Sequence, residues 1–154
     1  MVGDELIPDE AKALLGKEVG YSDIEVEKEP IKRYAEAIMD PNPLYVDSNY
    51  AKQCGYRGII APPTFVSRYI GIGALPRLSG KFATIMGGEE WEFLEPVEMG
   101  DVITRTYKLA DLYQREGRTG KMVFMVLEWN FTNQHGQRVA IYRLTIVNRL
   151  VEGK

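Results

Sequence analysis

The hydrophobic and polar positions divide this chain into two unequal parts, and the first part combines short helices with loops. Residues 11–15 and the segment that opens at Pro30 have apolar residues at helical spacing, whereas Ser22 to Glu27 alternates as a strand does. A further short helix is predicted with Asp47 or Ser48 as its N-cap. The segment after Pro30 is predicted to bury one stripe, formed by Ile31, Tyr34, Ala35 and Ile38.

The second part is predicted to consist of strands preceded by one buried helix. Phe65 to Leu75 is apolar nearly all round and ends at Pro76, which favours a long helix inside the fold. Alternation is clearest from Val123 to Phe131, and Asn133 to Gly136 is typical of a tight hairpin turn. The four predicted strands are Thr84 to Val97, Asp101 to Tyr113, Lys121 to Asn133 and Gln137 to Leu150. An antiparallel sheet wrapped around a helix, in the α+β class, satisfies this pattern.

Composition narrows the picture to one ordinary globular domain. The 154 residues fit a single domain, residues 1–154, with 45% hydrophobic and 27% charged residues. The net charge of -3 and the absence of a basic run argue against nucleic-acid binding, and no apolar stretch is long enough for a membrane span. Cys54 has no cysteine to pair with, and the acidic N-terminus is unlike a signal peptide, so we expect a cytoplasmic protein.

Several segments together resemble the MaoC-like acyl dehydratase and hydratase family. They are Tyr34 to Asp47, Gly58 to Phe65, Gly88 to Asp101 and Thr132 to Gly136, in the family's order. The resemblance covers the chain from about Leu15 onward. It implies the hot-dog fold, in which a curved antiparallel sheet wraps around a long central helix. It also implies that two hot-dog domains pair, so that their sheets continue across the interface and hide their edges.

The resemblance assigns roles to individual residues. Catalytic members carry Asp-x4-His, whose two side chains hold the water that adds to a 2-enoyl thioester and gives an (R)-3-hydroxyacyl thioester. Asp40 occupies the Asp position here, and Tyr45 stands where the His belongs. A backbone N–H near the start of the helix polarises the thioester oxygen. Pro63 has no N–H, so Thr64 is the candidate for that contact. The remaining substrate-binding candidates are Asn42, Pro63 and Phe65.

The substitution at Tyr45 leaves three interpretations open. Tyrosine has a pKa near ~10 and makes a poor base, and loss of a positioned acid-base group typically costs ~10²–10⁴ in rate. One interpretation is therefore a substrate-binding subunit that needs a histidine-bearing partner, as in the binding subunit of (3R)-hydroxyacyl carrier-protein dehydratases or the histidine-lacking N-terminal half of two-domain MaoC-like dehydratases. Another is a homodimeric hydratase, a hydro-lyase, acting through Asp40 and Tyr45. A hot-dog acyl-coenzyme A thioesterase is the third.

Each candidate also has a purely structural explanation. Asp40 is typical of a carboxylate that ends a helix, Asn42 of a loop residue, and Asp47 of a helix cap. Tyr45 is typical of a packed side chain whose hydroxyl is satisfied. The chain's one histidine, His135, lies in the predicted turn. We expect no metal or resident cofactor, only coenzyme A or carrier protein as part of the substrate. Candidate contacts to their phosphates or acidic groups are Lys52, Arg57 and Arg118.

Overall fold

A five-stranded antiparallel sheet organises the protein, whose computed structural model describes residues 6–71, 75–118 and 120–151. The strands are β1 (Val19–Glu25), β2 (Phe82–Phe93), β3 (Val102–Gly117), β4 (Gly120–Thr132) and β5 (Arg138–Leu150). They lie in the order β1-β3-β4-β5-β2, so β1 and β2 form the two edges of the sheet. The α+β class and the four strands predicted in the second half are confirmed, with ends that differ by a few residues.

The hairpin between β4 and β5 follows the predicted turn. The Asn133 N–H donates to the Gln137 carbonyl oxygen over 2.9 Å, and Gly136 has a φ of 77°. A side chain at that φ would be strained, which explains the glycine. The turn fixes the register of the hairpin and so decides which face each residue of β4 and β5 occupies.

The helices of the first half are short. They are α1 (Asp9–Lys12), α2 (Lys28–Ala37), a first 3-10 helix (Pro43–Tyr45), α3 (Ser48–Gln53) and a second 3-10 helix (Pro63–Tyr69). In α2, Ile31 and Ala35 are buried as predicted, whereas Ile38 is 42% exposed because the helix has already ended at Ala37. No helix among the described residues is long and apolar enough to cross a membrane.

The segment predicted as a long helix to Leu75 differs from that prediction. It forms the second 3-10 helix, which ends at Tyr69, and Ile70 is extended. The Gly71 carbonyl oxygen accepts a hydrogen bond from the indole Nε1 of Trp129 over 3.3 Å. In a continuing α-helix that carbonyl would already be bonded to the N–H four residues later. Glycine also has low helix propensity. The rest of the predicted helix, residues 72–74, lies outside the described residues.

One face of the sheet packs against the helices and carries a row of aromatic side chains. From β3 to β2 the aromatic row consists of Tyr107, Trp129, Tyr142 and Trp91, which are register neighbours across the four strands. Their ring centroids are 5.5, 5.3 and 4.4 Å apart in that order. Aromatic pairs at such distances stabilise a sheet beyond the apolar area that they bury.

The opposite face carries a row of charges, one residue along from the aromatic row. The charge row consists of Lys108, Glu128, Arg143 and Glu90, again register neighbours from β3 to β2. Their ion pairs measure 2.9, 2.7 and 2.6 Å in that order. Positive and negative side chains thus alternate across the sheet, the arrangement in which directly opposed charges attract.

Candidate functional site

The segment from Asp40 to Tyr45 is held by its own polar side chains. The Asp40 carboxylate Oδ1 accepts from the Asn42 N–H over 3.1 Å, and the Asn42 Oδ1 accepts from the Leu44 N–H over 3.0 Å. The second bond caps the first 3-10 helix. Side chains that bond to the backbone two residues on are the usual way in which Asp and Asn stabilise turns. Asp40 and Asn42 therefore stabilise the turn, which is the structural role that the sequence indicated for them.

Met39 introduces the segment in an unusual backbone conformation. Its φ is 55°, in the left-handed region, and its side chain is 87% exposed. The next N–H, of Asp40, turns back to the Ala35 carbonyl oxygen over 2.9 Å. A residue with a Cβ at such a φ costs roughly 1–2 kcal/mol. The end of α2 therefore stores strain directly before the Asp40 carboxylate, and such strain tends to occur at functional sites.

Asp47 ends the segment as a helix cap. Its carboxylate accepts from the N–H groups of Asn49 and Tyr50 over 2.8 and 3.1 Å. The prediction of an Asp47 cap on α3 is thereby confirmed.

Tyr45 is the buried polar side chain of the segment. It is 7% exposed and belongs to the hydrophobic core cluster. Burial raises the pKa of its phenol, the charge of Asp40 raises that pKa further, and a hydrogen bond with the Asn42 side chain acts in the opposite direction. The phenol is therefore protonated at neutral pH. It is suited to donate a hydrogen bond and poorly suited to accept a proton.

An apolar cavity of about 250 Å³ opens beside Tyr45. It lies between the two 3-10 helices on one side, and the end of β2 and the start of β5 on the other. Its lining residues are Tyr45, Ile60, Ala61, Pro62, Pro63, Val66, Phe93, Leu94, Glu95, Pro96, Val97, Val139 and Ala140. Only Tyr45 and Glu95 in that set carry ionisable side chains. The cavity suits an apolar ligand with one or two polar contacts.

The structure brings some of the predicted site residues to this cavity and leaves others outside its lining. Tyr45 and Pro63 line it, whereas Asp40, Asn42, Thr64 and Phe65 do not. The Thr64 carbonyl and hydroxyl oxygens accept from the Tyr34 hydroxyl over 3.1 and 3.0 Å. Phe65 is fully buried, with its ring edge-on to Tyr34 at 5.6 Å. In this structure Thr64 and Phe65 fasten the second 3-10 helix to α2, and their contact with substrate stays a prediction.

Sequence reasoning missed the cavity wall after β2. Phe93, Leu94 and Glu95 line the cavity, yet their stretch of sequence contributed only to the resemblance and supplied no predicted site residue. A glutamate between apolar residues and just before Pro96 was the available signal, since a charged side chain in an apolar loop marks a place where solvent or a ligand has access.

Arg57, a candidate for contact with phosphate, has a structural role instead, and His135 lies away from the cavity. Arg57 pairs with the Asp101 carboxylate over 2.5 Å and with Glu98 over 3.4 Å, so it is already engaged and less suited to bind phosphate. Burial works to raise the pKa of the 1% exposed Asp101, but hydrogen bonds from the Glu98 N–H, Gln134 and Arg57 outweigh it and lower that pKa. His135 lies in the exposed turn after β4 and does not line the cavity.

One protein family matches nearly the whole chain. The sequence model of the family described as "FAS1-like, dehydratase domain region" matches residues 13–142. A UPF0336 protein of Thermobifida fusca (strain YX) is 34% identical over 121 residues, which are 75% of this chain and 77% of the relative.

Solved structures are similar to this chain in fold. The HadBC (3R-hydroxyacyl-ACP dehydratase) complex from Mycobacterium tuberculosis is similar with a TM-score of 0.68 and 20% identity, over 87% of this chain and 96% of that one. R-hydratase PhaJ1 from Pseudomonas aeruginosa is similar with a TM-score of 0.65 and 21% identity, over 97% and 93%. At these identities the likeness establishes the fold alone. The sheet and its helices form a hot-dog fold, as the resemblance predicted.

Proposed function

This chain belongs to the FAS1-like dehydratase domain family, within the hot-dog dehydratases and hydratases, and from that premise we propose that it is a substrate-binding subunit. In this proposal the chain holds the acyl group of a thioester, and a separate hot-dog chain supplies the catalytic histidine. The pair adds water across the C2=C3 bond of a 2-enoyl thioester, with hydroxyl to C3 and a proton to C2, or removes water in reverse. The product of addition is the (R)-3-hydroxyacyl thioester.

The observation that carries the proposal is the apolar cavity beside Tyr45. An apolar cavity of about 150 Å³ is large enough to take up benzene. The cavity here, of about 250 Å³, is therefore ample for an acyl chain of several carbons. Burying that chain is favourable by roughly 0.8 kcal/mol per methylene, so the cavity supplies affinity without needing a charged contact.

The same cavity is poorly equipped for proton transfer. Hydration needs a group that accepts a proton from water near neutral pH, and the raised pKa of Tyr45 removes its phenol from that role. Glu95 is exposed, and the Asp40 carboxylate is not part of the lining. The chain's one histidine, His135, belongs to a turn rather than to the cavity. A cavity that suits an acyl chain but has no suitable proton acceptor in its lining favours a subunit that needs a partner.

Similar proteins support the idea of a partner. HadBC, one of the structures that this chain resembles, is a complex that acts as a 3R-hydroxyacyl-ACP dehydratase. We propose the same kind of division for this chain. Tyr45 then donates a hydrogen bond at the inner end of the cavity, and the Thr64 N–H remains the proposed contact for the thioester oxygen. The thioester carrier is coenzyme A or a carrier protein.

A self-sufficient hydratase is the second candidate. It is supported by one observation: the charge of Asp40 raises the pKa of Tyr45, so the two side chains interact electrostatically. In that case Asp40 accepts the proton from water, and Tyr45 donates one in a homodimer that needs no second gene product.

One experiment separates the two candidates. The purified chain is assayed alone for hydration of a short 2-enoyl-coenzyme A, beside Asp40→Asn and Tyr45→Phe. Binding of butyryl-coenzyme A, which cannot be hydrated, is measured by calorimetry on the same samples. We expect binding without turnover. Turnover that both substitutions abolish would overturn the subunit proposal in favour of the homodimeric hydratase.

A pair of matched variants tests whether the cavity is the binding site. Ala61→Leu adds three carbons to a residue of the cavity wall that is 5% exposed, and we expect it to weaken butyryl-coenzyme A binding at least about tenfold, as the loss of about two buried methylenes does. Ala110→Leu adds the same volume at an exposed position of β3 and is expected to leave binding unchanged. Equal affinity in both variants would place the acyl chain elsewhere.

A further inference from the structure

Asp101 is the one buried charged residue among the described residues. It is 1% exposed, and both oxygens of its carboxylate accept hydrogen bonds. Oδ1 accepts from the Arg57 guanidinium over 2.5 Å and from the Gln134 amide over 3.0 Å, and Oδ2 accepts from the Glu98 N–H over 2.8 Å. An ionised group is costly to bury unless it is paired in this way. Together these four residues form the Asp101 network.

The Asp101 network joins two segments that line the cavity. Residues 57–63 contribute Ile60, Ala61, Pro62 and Pro63 to the lining, and residues 95–101 contribute Glu95, Pro96 and Val97. Arg57 begins the first segment, and Asp101 ends the second. Apart from Pro63, which opens the second 3-10 helix, none of these residues belongs to a helix or a strand. The position of this part of the wall therefore depends on contacts between the two segments.

The two segments run side by side in opposite directions. The Ala61 N–H donates to the Val97 carbonyl oxygen over 2.7 Å, and the Met99 N–H donates to the Ile59 carbonyl oxygen over 2.9 Å. Gly58 allows the close approach, because a Cβ added there would lie 3.2 Å from the Met99 methyl carbon. Continuing this register sets residue 57 opposite residue 101, where the ion pair lies. The network thus occupies the next position of the same pairing.

The network also fastens the two segments to the sheet. Gln134 belongs to the turn after β4, and its side-chain oxygen accepts from the Val102 N–H at the start of β3 over 2.9 Å. The Asp101 carbonyl oxygen accepts from the Val26 N–H, just after β1, over 2.8 Å. The sheet therefore holds Asp101 in place, and the Asp101 carboxylate in turn places Arg57 and the lining segment that follows it.

We propose that Asp101 is a positioning residue for acyl binding, which holds the two lining segments together through Arg57 and Glu98 and so determines how closely the cavity fits an acyl chain. Asp101 does not line the cavity, so it acts through these neighbours and not by contact with the ligand. The proposal rests on the proposed function insofar as the cavity is the acyl site. It concerns the fit of the ligand in the folded protein, which a loss of stability alone does not change.

Asparagine cannot replace Asp101 in this network. An asparagine side chain has one acceptor oxygen and one NH2 donor, whereas the three partners of Asp101 all donate. One orientation of the amide sets its NH2 against the Glu98 N–H, and the other sets it against Arg57 and Gln134. Leaving a buried donor without an acceptor is costly. Asp101→Asn should therefore loosen the contact between the two segments while it preserves the shape of the side chain.

The test measures how affinity depends on the length of the acyl chain. Acetyl- and butyryl-coenzyme A differ by two methylenes, and each buried methylene accounts for about a fourfold gain in affinity. Calorimetry gives both dissociation constants for wild type, Asp101→Asn and Arg57→Gln. The second variant is included in case the first does not fold, since the Arg57 side chain is 55% exposed. The control is Glu128→Gln, which breaks ion pairs on the opposite face of the sheet.

We expect wild type to bind butyryl-coenzyme A about 15-fold more tightly than acetyl-coenzyme A. In Asp101→Asn that ratio should fall below about fourfold, and in Arg57→Gln below about eightfold, because a loosened wall buries less of the chain. Glu128→Gln should keep the ratio of wild type, although it is also destabilised. An unchanged ratio in folded Asp101→Asn, or in Arg57→Gln where the first variant does not fold, would overturn the proposal.

Amide hydrogen exchange of the free proteins tests the cause. The Ala61 and Met99 amides join the two segments, and their exchange is compared with that of Leu127 on the central strand β4, which corrects for a loss of global stability. In Asp101→Asn both amides should exchange at least about tenfold faster relative to Leu127, and in Glu128→Gln there should be no relative change. A lower affinity ratio without this faster exchange would mean that the carboxylate acts in another way, and the proposal would be wrong.

The role of Asp101 and the proposed function can fail separately. Turnover by the chain alone would overturn the substrate-binding subunit and leave the role of Asp101 standing, because a hydratase needs the same fit. Equal affinity of wild type for both thioesters would remove the acyl site and the role of Asp101 together. A wild type that distinguishes the two thioesters, beside an Asp101→Asn variant that distinguishes them equally well, would overturn the role of Asp101 alone.

Discussion

The aromatic row and the charge row use the same four strands, one residue apart, and stabilise the sheet in different ways. Trp129, at the centre of the aromatic row, is fully buried, whereas the Glu128 side chain beside it is 12% exposed and depends on two cations. Burial of an aromatic ring is favourable whatever its neighbours are, because the effect depends mainly on area. An ion pair is favourable only while both partners are in place. The first row therefore supplies stability, and the second supplies specificity.

The two rows also fix each other's register. A slip of one residue between any two strands would exchange the faces and bring Glu128 among aromatic rings. Charge is costly to bury without a partner, so such a slip is strongly disfavoured. The comparison predicts that substitutions in the aromatic row affect stability most, that the middle of the charge row comes next, and that its open end affects stability least.

Trp129→Ala is expected to have the largest effect on stability. It removes the ring that contacts Tyr107 and Tyr142, together with the hydrogen bond to the Gly71 carbonyl oxygen. Truncating a buried aromatic residue costs about 3–5 kcal/mol, measured as the free energy of unfolding in urea. Trp91→Ala is the matched control, since Trp91 lies at the exposed edge of the same row. An equal loss in both variants would mean that burial does not set the order.

Glu128→Gln is expected to have an intermediate effect that depends on pH. It leaves Lys108 and Arg143 facing an uncharged group, and we expect a loss of about 1–3 kcal/mol at neutral pH. Burial works to raise the pKa of Glu128, but hydrogen bonds from Lys108, Arg143 and Asn130 outweigh it and lower that pKa below the ordinary 4.5. Because the folded pKa is the lower one, the stabilising contribution is present above about 4.5 and disappears as the pH falls through the folded pKa.

The measurement is urea unfolding of wild type and Glu128→Gln across the acidic range. The difference between the two should be largest near neutral pH and should shrink as the pH falls below the ordinary range of a glutamate. A difference that stays constant down to the acid limit would show that the carboxylate's charge contributes nothing, and that only the shape of the side chain matters.

Much of this fold could be predicted from the sequence, because two-residue alternation decides faces locally. The residues from Val123 to Phe131 are buried alternately as predicted, and the Asn133 to Gly136 turn fixes how β5 returns beside them. The segment after Phe65 was harder. An apolar run does not say whether a carbonyl such as that of Gly71 will stay within a helix or bond to a distant indole, here that of Trp129.

The candidate site was predictable only in part, for a physical reason of the same kind. Local turn chemistry indicated that Asp47 caps a helix, and this is confirmed. The cavity, by contrast, is assembled from residues that are distant in sequence, such as Tyr45, Glu95 and Ala140. No local pattern links them. The charge row likewise appears only when the register of four strands is known, so Glu90 did not stand out in the sequence.

Glu90→Gln is expected to have the smallest effect on stability. The Glu90 side chain is 66% exposed, and an exposed ion pair contributes about 0–1 kcal/mol, so urea unfolding should change by less than it does for Glu128→Gln. Glu92→Gln is the control, since Glu92 lies on the same exposed strand beyond the end of the charge row. A loss at Glu90 as large as that at Glu128 would show that the four charges act as one cooperative unit.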